Sequence, residues 1–102
     1  MQFKIPFHFD METADPDDSM TLAILATHPK VHLASVSIHP GGKDQIGFVR
    51  RVLQILDRED VRIGSGAPKS SASRVSGFYR SWVGNFEDSE ADDTAAKIMI
   101  ET

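Results

Sequence analysis

The chain contains no cysteine, and only one tryptophan and one tyrosine occur among its 102 residues. The absence of cysteine excludes disulfides, thiolate metal sites and a cysteine nucleophile. No apolar run approaches the roughly 20 residues that span a bilayer, and the N-terminus lacks the basic and then apolar layout of a signal peptide. The sequence therefore predicts a single cytoplasmic domain over residues 1–102 with no membrane contact.

The charge is unevenly distributed along the chain. Residues 1–29 carry one lysine and five acids, residues 30–80 have an excess of basic residues, and residues 81–102 are again acidic, within a net charge of -4. The basic residues in the middle are scattered, with Arg50 and Arg51 as their adjacent pair. Because nucleic-acid surfaces need clustered positive charge, the sequence favours no nucleic-acid partner.

Strand and helix patterns alternate over the first two thirds of the chain. This alternation predicts an α/β fold, a Rossmann-like parallel sheet with flanking helices that is incomplete at residue 102. The predicted elements are a buried strand 5–9, a helix beginning at Pro16, a strand 31–38, an amphipathic helix 43–56 and a strand 61–64.

The sequence defines where the first helix starts more clearly than which of its faces is buried. Asp15 is a favoured N-cap residue, and Pro16 suits the first helical position. Met20, Ala23, Ile24 and Thr27 share one face, and the surrounding apolar residues predict a helix that is largely covered.

Residues 65–92 are predicted to form a long loop or lid, because no clear element appears in them. If this segment closes over a site, Phe78, Tyr79 and Trp82 could stack on a base, although aromatic residues in such loops more often pack the loop down. Residues 93–102 are predicted to be helical.

The main functional signal is a run of five carboxylates, Asp10, Glu12, Asp15, Asp17 and Asp18, directly after the first strand. Such charge density requires a cation, a helix N-terminus or protonation to offset the repulsion. Helix capping accounts for Asp15 and partly for Asp17 and Asp18, but it does not explain Asp10 or Glu12. Carboxylate oxygens are ligands that Ca²⁺ prefers, so the pattern favours a calcium site.

The same residues resemble a known family. A strand, Asp10-x-Glu12, Asp17-Asp18, a helix, and a strand 31–38 running into a glycine turn are similar to the N-terminal signature of the inosine/uridine-preferring nucleoside hydrolases. The stretch 49–68 is similar to the second helix, third strand and Gly-Ala turn of that family. Glu12 stands where the family has Asp, and one extra residue precedes Asp17.

The resemblance implies a set of roles. Asp10 would be the general base and a Ca²⁺ ligand, Asp18 a second Ca²⁺ ligand that also holds the ribose, and Asp17 a ribose contact. His39, at the end of the second strand, is a candidate substrate contact, with a hydrogen-bonded turn histidine as the alternative. The implied reaction is hydrolysis of the N-glycosidic bond of a nucleoside or related ribosyl compound.

The family's later calcium ligands come from segments beyond residue 102, so the resemblance predicts that this chain alone lacks turnover. Two alternatives remain open. One is a truncated, non-catalytic binding or assembly module. The other is a phosphatase of the haloacid-dehalogenase type, although Ala14 occupies the Thr position of its motif. A homo-oligomer is also left open.

Overall fold

The protein, described here from a computed structural model over residues 4–66, 75 and 79–102, contains one four-stranded parallel sheet. The strands lie in the order β1-β2-β3-β4, so each crossover carries the chain to the neighbouring strand. The described elements are β1 (Ile5–Met11), α1 (Pro16–Thr27), β2 (Val31–Ile38), α2 (Lys43–Ile55), β3 (Arg62–Ser65), α3 (Tyr79–Val83), β4 (Asp93–Thr94) and α4 (Ala95–Glu101). This arrangement confirms the predicted α/β fold with a parallel sheet and flanking helices.

The helices cover the two faces of the sheet unequally. One apolar cluster joins α1, α2 and α3 to side chains of β2 and β3, including Leu22, Val36, Phe48 and Ile63. Helix α4 packs on β2 and β3 with buried side chains that lie outside that cluster. A Cβ on Gly64 would lie 2.9 Å from the Cα of Ala95. Glycine at this position therefore permits the close approach of α4.

Strand β1 corrects one prediction. It continues to Met11, beyond the predicted end at Phe9, and its first half is not buried: Ile5 is 61% exposed and Phe7 39% exposed. The reason is the strand order, since β1 lies at the edge of the described sheet and pairs with β2 on one side. Pro6 is compatible with this position, because an edge strand has backbone groups that need no ladder partner.

Helix α1 corrects a second prediction. Its start at Pro16 with Asp15 as N-cap is confirmed, although the Asp15 side chain makes no capping hydrogen bond. The predicted face is wrong, because Met20 is 59% exposed and Ile24 61% exposed. The buried positions are instead Ser19, Leu22 and Ala26. Apolar residues surround this helix, so its pattern alone did not select the face that meets the sheet.

An irregularity in β2 is supported by an arginine from the α2–β3 connection. Phe7 pairs with Leu33 and His8 with Ser35, which leaves Ala34 as an extra residue. Arg58 donates to the Leu33 carbonyl at 2.8 Å and to the Ala26 carbonyl at 2.8 Å. It thus donates to a strand carbonyl at the bulge and to a carbonyl near the end of α1, where helical carbonyls lack partners within the helix.

The segment between β3 and β4 contains a helix where the sequence suggested only a loop or lid. Tyr79 to Val83 form α3, and Tyr79 and Val83 are buried. Phe78 and most of residues 67–78 lie outside the described residues. Among the residues that are described, no helix is both long enough and apolar enough to cross a membrane.

Replacement of Arg58 by Met should destabilise the protein by about 1–3 kcal/mol, because two largely buried carbonyls lose their donor. Urea unfolding monitored by circular dichroism measures the change. The control is Arg62→Met, which removes a half-exposed arginine paired with Glu101. Such exposed pairs contribute about 0–1 kcal/mol. Equal losses in the two variants would contradict the structural role of Arg58.

Candidate metal and ligand site

Three carboxylates converge at the carboxyl end of β1. Glu12, Asp15 and Asp17 each present a ligand atom, and these atoms all lie within 4.8 Å of one another. Glu12 is half-buried, and the other two residues are exposed. Oxygens on opposite sides of one Ca²⁺ are roughly 5 Å apart, given bond lengths of about 2.3–2.6 Å. The cluster therefore has the donor type and spacing to hold a divalent metal ion.

Backbone amides of the same segment are directed at its carboxylates. The Glu12 amide donates to Asp18 Oδ2 at 3.0 Å. The Ala14 amide donates to Glu12 Oε2 at 2.7 Å, and the Asp15 amide to Glu12 Oε1 at a longer 3.5 Å. Hydrogen bonds from N–H groups stabilise the ionised form of a carboxylate. The loop thus offsets part of its own charge repulsion.

Asp10 and His39 meet directly at the ends of β1 and β2. Oδ1 of Asp10 lies 2.6 Å from His39 Nε2, and the side chains of both residues are about half exposed. The same Oδ1 accepts a hydrogen bond from Ser37 Oγ at 2.5 Å. Two residues that the sequence identified as site candidates are therefore in direct contact at the ends of neighbouring strands.

The predicted site residues occupy different positions within this arrangement. Asp17 belongs to the group of three carboxylates, whereas Asp18 bonds the Glu12 amide and Asp10 bonds Ser37 and His39. The carboxylates that the described structure brings together thus differ from Asp10 and Asp18, the pair expected from the family resemblance.

His8 extends the Asp10 contacts along the sheet. Its Nε2 lies 3.0 Å from Ser37 Oγ, and its Nδ1 lies 2.7 Å from Ser35 Oγ. Burial lowers the pKa of the His8 imidazole, and the nearby Asp10 charge opposes that effect. His8 is therefore a half-buried histidine with a hydrogen-bond contact at each ring nitrogen.

Gln45 on α2 fixes the two loops of the site against each other. Its Nε2 donates to Thr13 Oγ1 at 3.0 Å and to the His39 carbonyl at 2.9 Å. Its Oε1 accepts from the amides of Gly41 and Gly42 at 2.9 and 2.8 Å. Gln45 and Thr13 are both fully buried. One buried amide therefore holds the acidic segment, residues 10–18, against the turn that begins at His39.

The turn after β2 requires glycine at one position. Gly41 has φ +101, and a Cβ there would lie 2.7 Å from the Gly66 amide nitrogen. Both the backbone conformation and the close approach exclude a larger side chain. This turn thereby packs directly against the end of β3.

A cavity of about 410 Å³ opens beside this turn. Lys43, Ser65, Asp93 and Thr94 contribute polar groups to it, and Ile46 and Ala91 contribute apolar surface. Its volume falls within the range of about 300–1,000 Å³ that is common for small-molecule sites. The carboxyl edge of the sheet, where ligands of open α/β folds bind, thus carries both an acidic cluster and a cavity.

Tyr79 lies beneath the site rather than in it. Its ring is fully buried and stacks on Phe48 with 4.4 Å between ring centroids. Burial raises the pKa of the Tyr79 phenol, the neighbouring Ser19 hydroxyl lowers it, and the charges of Glu12, Asp15 and Asp17 raise it further. Tyr79 therefore packs its segment down, as the more common behaviour of loop aromatics suggested, while Trp82 is 54% exposed.

The sequence analysis gave Asp15 only a capping role and assigned no role in the site to Glu12, Ser37 or Gln45. Glu12 carried a signal, since helix capping left it unexplained. Ser37 also carried one, because its place in a buried strand requires a hydrogen-bond partner. The bonds of Gln45 to Thr13 and the His39 carbonyl depend on how two loops pack against α2 and had no local signal, whereas its bond to the Gly42 amide is a local contact at the start of the helix.

Comparison with known proteins bears on the fold. No protein-family model and no curated protein matches the chain. The chain is similar to a solved structure described as the crystal structure of type III effector protein XopQ complexed with adenosine diphosphate ribose. The TM-score is 0.63 at 20% sequence identity, and the match covers 99% of this chain and 32% of the XopQ chain.

This likeness establishes the fold alone. It shows that the parallel sheet and its flanking helices are arranged like part of the XopQ structure. The chain spans about a third of the length of the XopQ chain. The activity and ligand of this chain must therefore be argued from its own residues.

Replacement of Gln45 by Glu should destabilise the protein by about 1–3 kcal/mol, because a buried carboxylate oxygen would face the His39 carbonyl without a donor between them. Urea unfolding gives the change in free energy. Gln54→Glu is the matched control, since Gln54 is an exposed residue of the same helix. If the two variants lose the same stability, Gln45 does not hold the loops together.

Proposed function

We propose that this chain forms the ribosyl- and calcium-binding part of a nucleoside hydrolase-like site. The observation that carries the proposal is the convergence of Glu12, Asp15 and Asp17 at the carboxyl end of β1. This cluster lies on a fold similar to that of XopQ, whose solved structure is complexed with adenosine diphosphate ribose. A ribosyl small molecule is therefore the ligand class that we propose for this chain.

The donor set supports calcium in particular. All of the clustered ligands are carboxylate oxygens, and Ca²⁺ accepts irregular shells of about six to eight oxygens. The chain has no cysteine, so no thiolate competes at the site. Asp18 follows Asp17 directly and accepts from the Glu12 amide, and we retain it with Asp10 as a further candidate ligand.

The proposed reaction is hydrolysis of an N-glycosidic bond, which passes through an oxocarbenium-like transition state. When bound, calcium would supply positive charge that favours deprotonation of water and offsets the carboxylate repulsion. Asp10 is the proposed general base. Its Oδ1 is held by Ser37 and His39, which fixes the orientation of the carboxylate.

Substrate contacts are proposed for Asp17, Asp18 and His39. Asp17 is exposed, and the His39 side chain is 49% exposed, so both can be reached from solvent. A ribose diol presents adjacent hydroxyl donors, which a carboxylate accepts well. The cavity beside Gly41 and Lys43 provides space for the remainder of such a ligand.

Titration of the folded chain with CaCl₂ should give a binding isotherm with a Kd on the order of 0.1–1 mM, as in weak exposed calcium sites. Glu12→Gln should weaken binding by at least tenfold, because it removes a carboxylate from the cluster. Isothermal calorimetry measures both values. Glu59→Gln, which removes the same charge at an exposed position outside the cluster, should bind like the unaltered chain. No heat with the unaltered folded chain would refute the calcium site.

A second experiment tests the ribosyl ligand and the reaction. Adenosine diphosphate ribose and inosine are titrated in the presence of calcium, and release of free base is followed by liquid chromatography. Binding should be lost in Asp17→Asn, and any base release should be abolished by a chelator and by Asp10→Asn. Binding without release favours the non-catalytic module, and hydrolysis of p-nitrophenyl phosphate favours the phosphatase.

A further inference from the structure

A line of polar side chains crosses the face of the sheet that α4 covers. His8 and Asp10 alternate along β1, and Ser35 and Ser37 pair with them in β2. The two serines are 1% and 0% exposed. The line continues to the end of α4, because Ser35 Oγ lies 2.5 Å from Thr102 Oγ1. The opposite face of the same strands is apolar, so this polar line needs its own explanation.

Counting hydrogens determines the direction of the bonds near Asp10. A serine hydroxyl carries one hydrogen, and an ionised carboxylate can only accept. The Ser37 hydrogen therefore belongs to its 2.5 Å contact with Asp10 Oδ1. Ser37 Oγ must then accept from His8 Nε2, 3.0 Å away. It follows that His8 carries a proton on Nε2, whatever the state of Nδ1.

The other ring nitrogen fixes the imidazole from the opposite side. His8 Nδ1 lies 2.7 Å from Ser35 Oγ. The Thr102 hydroxyl donates to the Ile98 carbonyl of α4 at 2.8 Å, and its oxygen also lies 2.5 Å from Ser35 Oγ. The His8 ring is thus bound at both nitrogens, which restricts its rotation. A ring fixed in this way presents its Nε2–H to Ser37 in one orientation.

We propose that His8 is a positioning residue that acts through Ser37 to hold the Asp10 carboxylate. This inference rests on the role proposed above for Asp10. Oδ1 of Asp10 accepts from both Ser37 and His39, and no hydrogen bond to Oδ2 occurs among residues 4–66, 75 and 79–102. Oδ2 is therefore the oxygen left for water or a cation.

Side chains that support a metal ligand or a catalytic carboxylate through a hydrogen bond are common in proteins. Groups that hydrogen-bond a metal ligand or a catalytic carboxylate set its orientation, and their removal typically costs about 10–100-fold in metal affinity or activity. Here the supporting group lies two residues from Asp10 along the strand, on the same face. The alternation of the strand is what brings the two side chains together.

The first test is spectroscopic and needs no metal or substrate. Nitrogen-15 spectra of the full chain should show His8 with a proton on Nε2. Ser37→Ala should shift the His8 nitrogen resonances and the Asp10 carboxyl carbon resonance, because the link between them is removed. An unprotonated Nε2 in the unaltered chain, or an Asp10 resonance unmoved in Ser37→Ala, would overturn the proposal.

The second test measures the consequence. His8→Phe should lower calcium affinity by about tenfold. His8→Gln retains an N–H donor near the Nε2 position and should restore most of that loss. His32→Phe, at an exposed histidine of β2, should bind calcium like the unaltered chain. Equal affinity in His8→Phe and the unaltered chain would contradict the positioning role.

The two tests separate this inference from the proposed function. If the unaltered chain binds no calcium, the calcium site fails, and the spectra alone decide whether His8 holds Asp10. If calcium binds but the His8 variants bind it equally, the site stands and the positioning role fails. If His8→Phe does not fold, the spectra and the calcium affinity of Ser37→Ala decide whether the link to Asp10 exists.

Discussion

The site depends on one buried side-chain amide, that of Gln45. A glutamine amide has two donor hydrogens and an acceptor oxygen with two lone pairs, and in this structure all four are used. The partners come from the acidic segment, the His39 carbonyl and the glycine turn. Because a buried polar group is costly unless it is fully bonded, the loss of any one of its four partners would destabilise the whole arrangement. The relative position of the two loops at the carboxyl edge depends on this constraint.

The acidic segment shows how a chain can concentrate negative charge without unfolding. Its own amides bind Glu12 and Asp18, and Pro16 begins a helix whose positive end faces the acids. These interactions are partial, since Asp15 and Asp17 stay exposed and make no capping bond to α1. The repulsion that remains is the part that a bound cation, as proposed above, would offset. The loop amides and the positive end of the helix offset the other part.

The sequence was sufficient where structure is determined locally. The start of α1 follows from Asp15 and Pro16, and β2 has the predicted limits because apolar and small residues end at a proline-glycine turn. The buried stripe of α2 also follows from spacing, since Ile46, Val49 and Leu53 are all almost fully covered. Each of these features is fixed by neighbours within a few residues.

Other features depend on contacts between distant segments. The exposure of Ile5 and Phe7 follows from the edge position of β1, which no local pattern reveals. The three acids that converge are Glu12, Asp15 and Asp17, whereas the resemblance implied Asp10 and Asp18 as the metal ligands. The Glu12 side chain accepts from the Ala14 amide of its own loop, a contact that the residue spacing did not indicate. The spacing in the sequence indicated that carboxylates would converge after the first strand. The backbone geometry determined which of the five carboxylates lie close together.

The two faces of the sheet carry different kinds of side chain, apolar residues on one and hydrogen-bonding residues on the other. On one face, Val36 and Ile38 pack under α1 and α2, which provides the apolar burial that a domain of this size requires. On the other, Ser35 and Ser37 occupy buried positions in the same strand, where apolar residues would pack without needing hydrogen bonds. Removing a hydroxyl from water costs free energy, and the hydrogen bonds that it forms in the protein offset this cost by about the same amount. The serines therefore contribute little net stability, and what distinguishes them is their bonds to His8 and Asp10. This asymmetry connects the polar face with function at the point where it reaches Asp10.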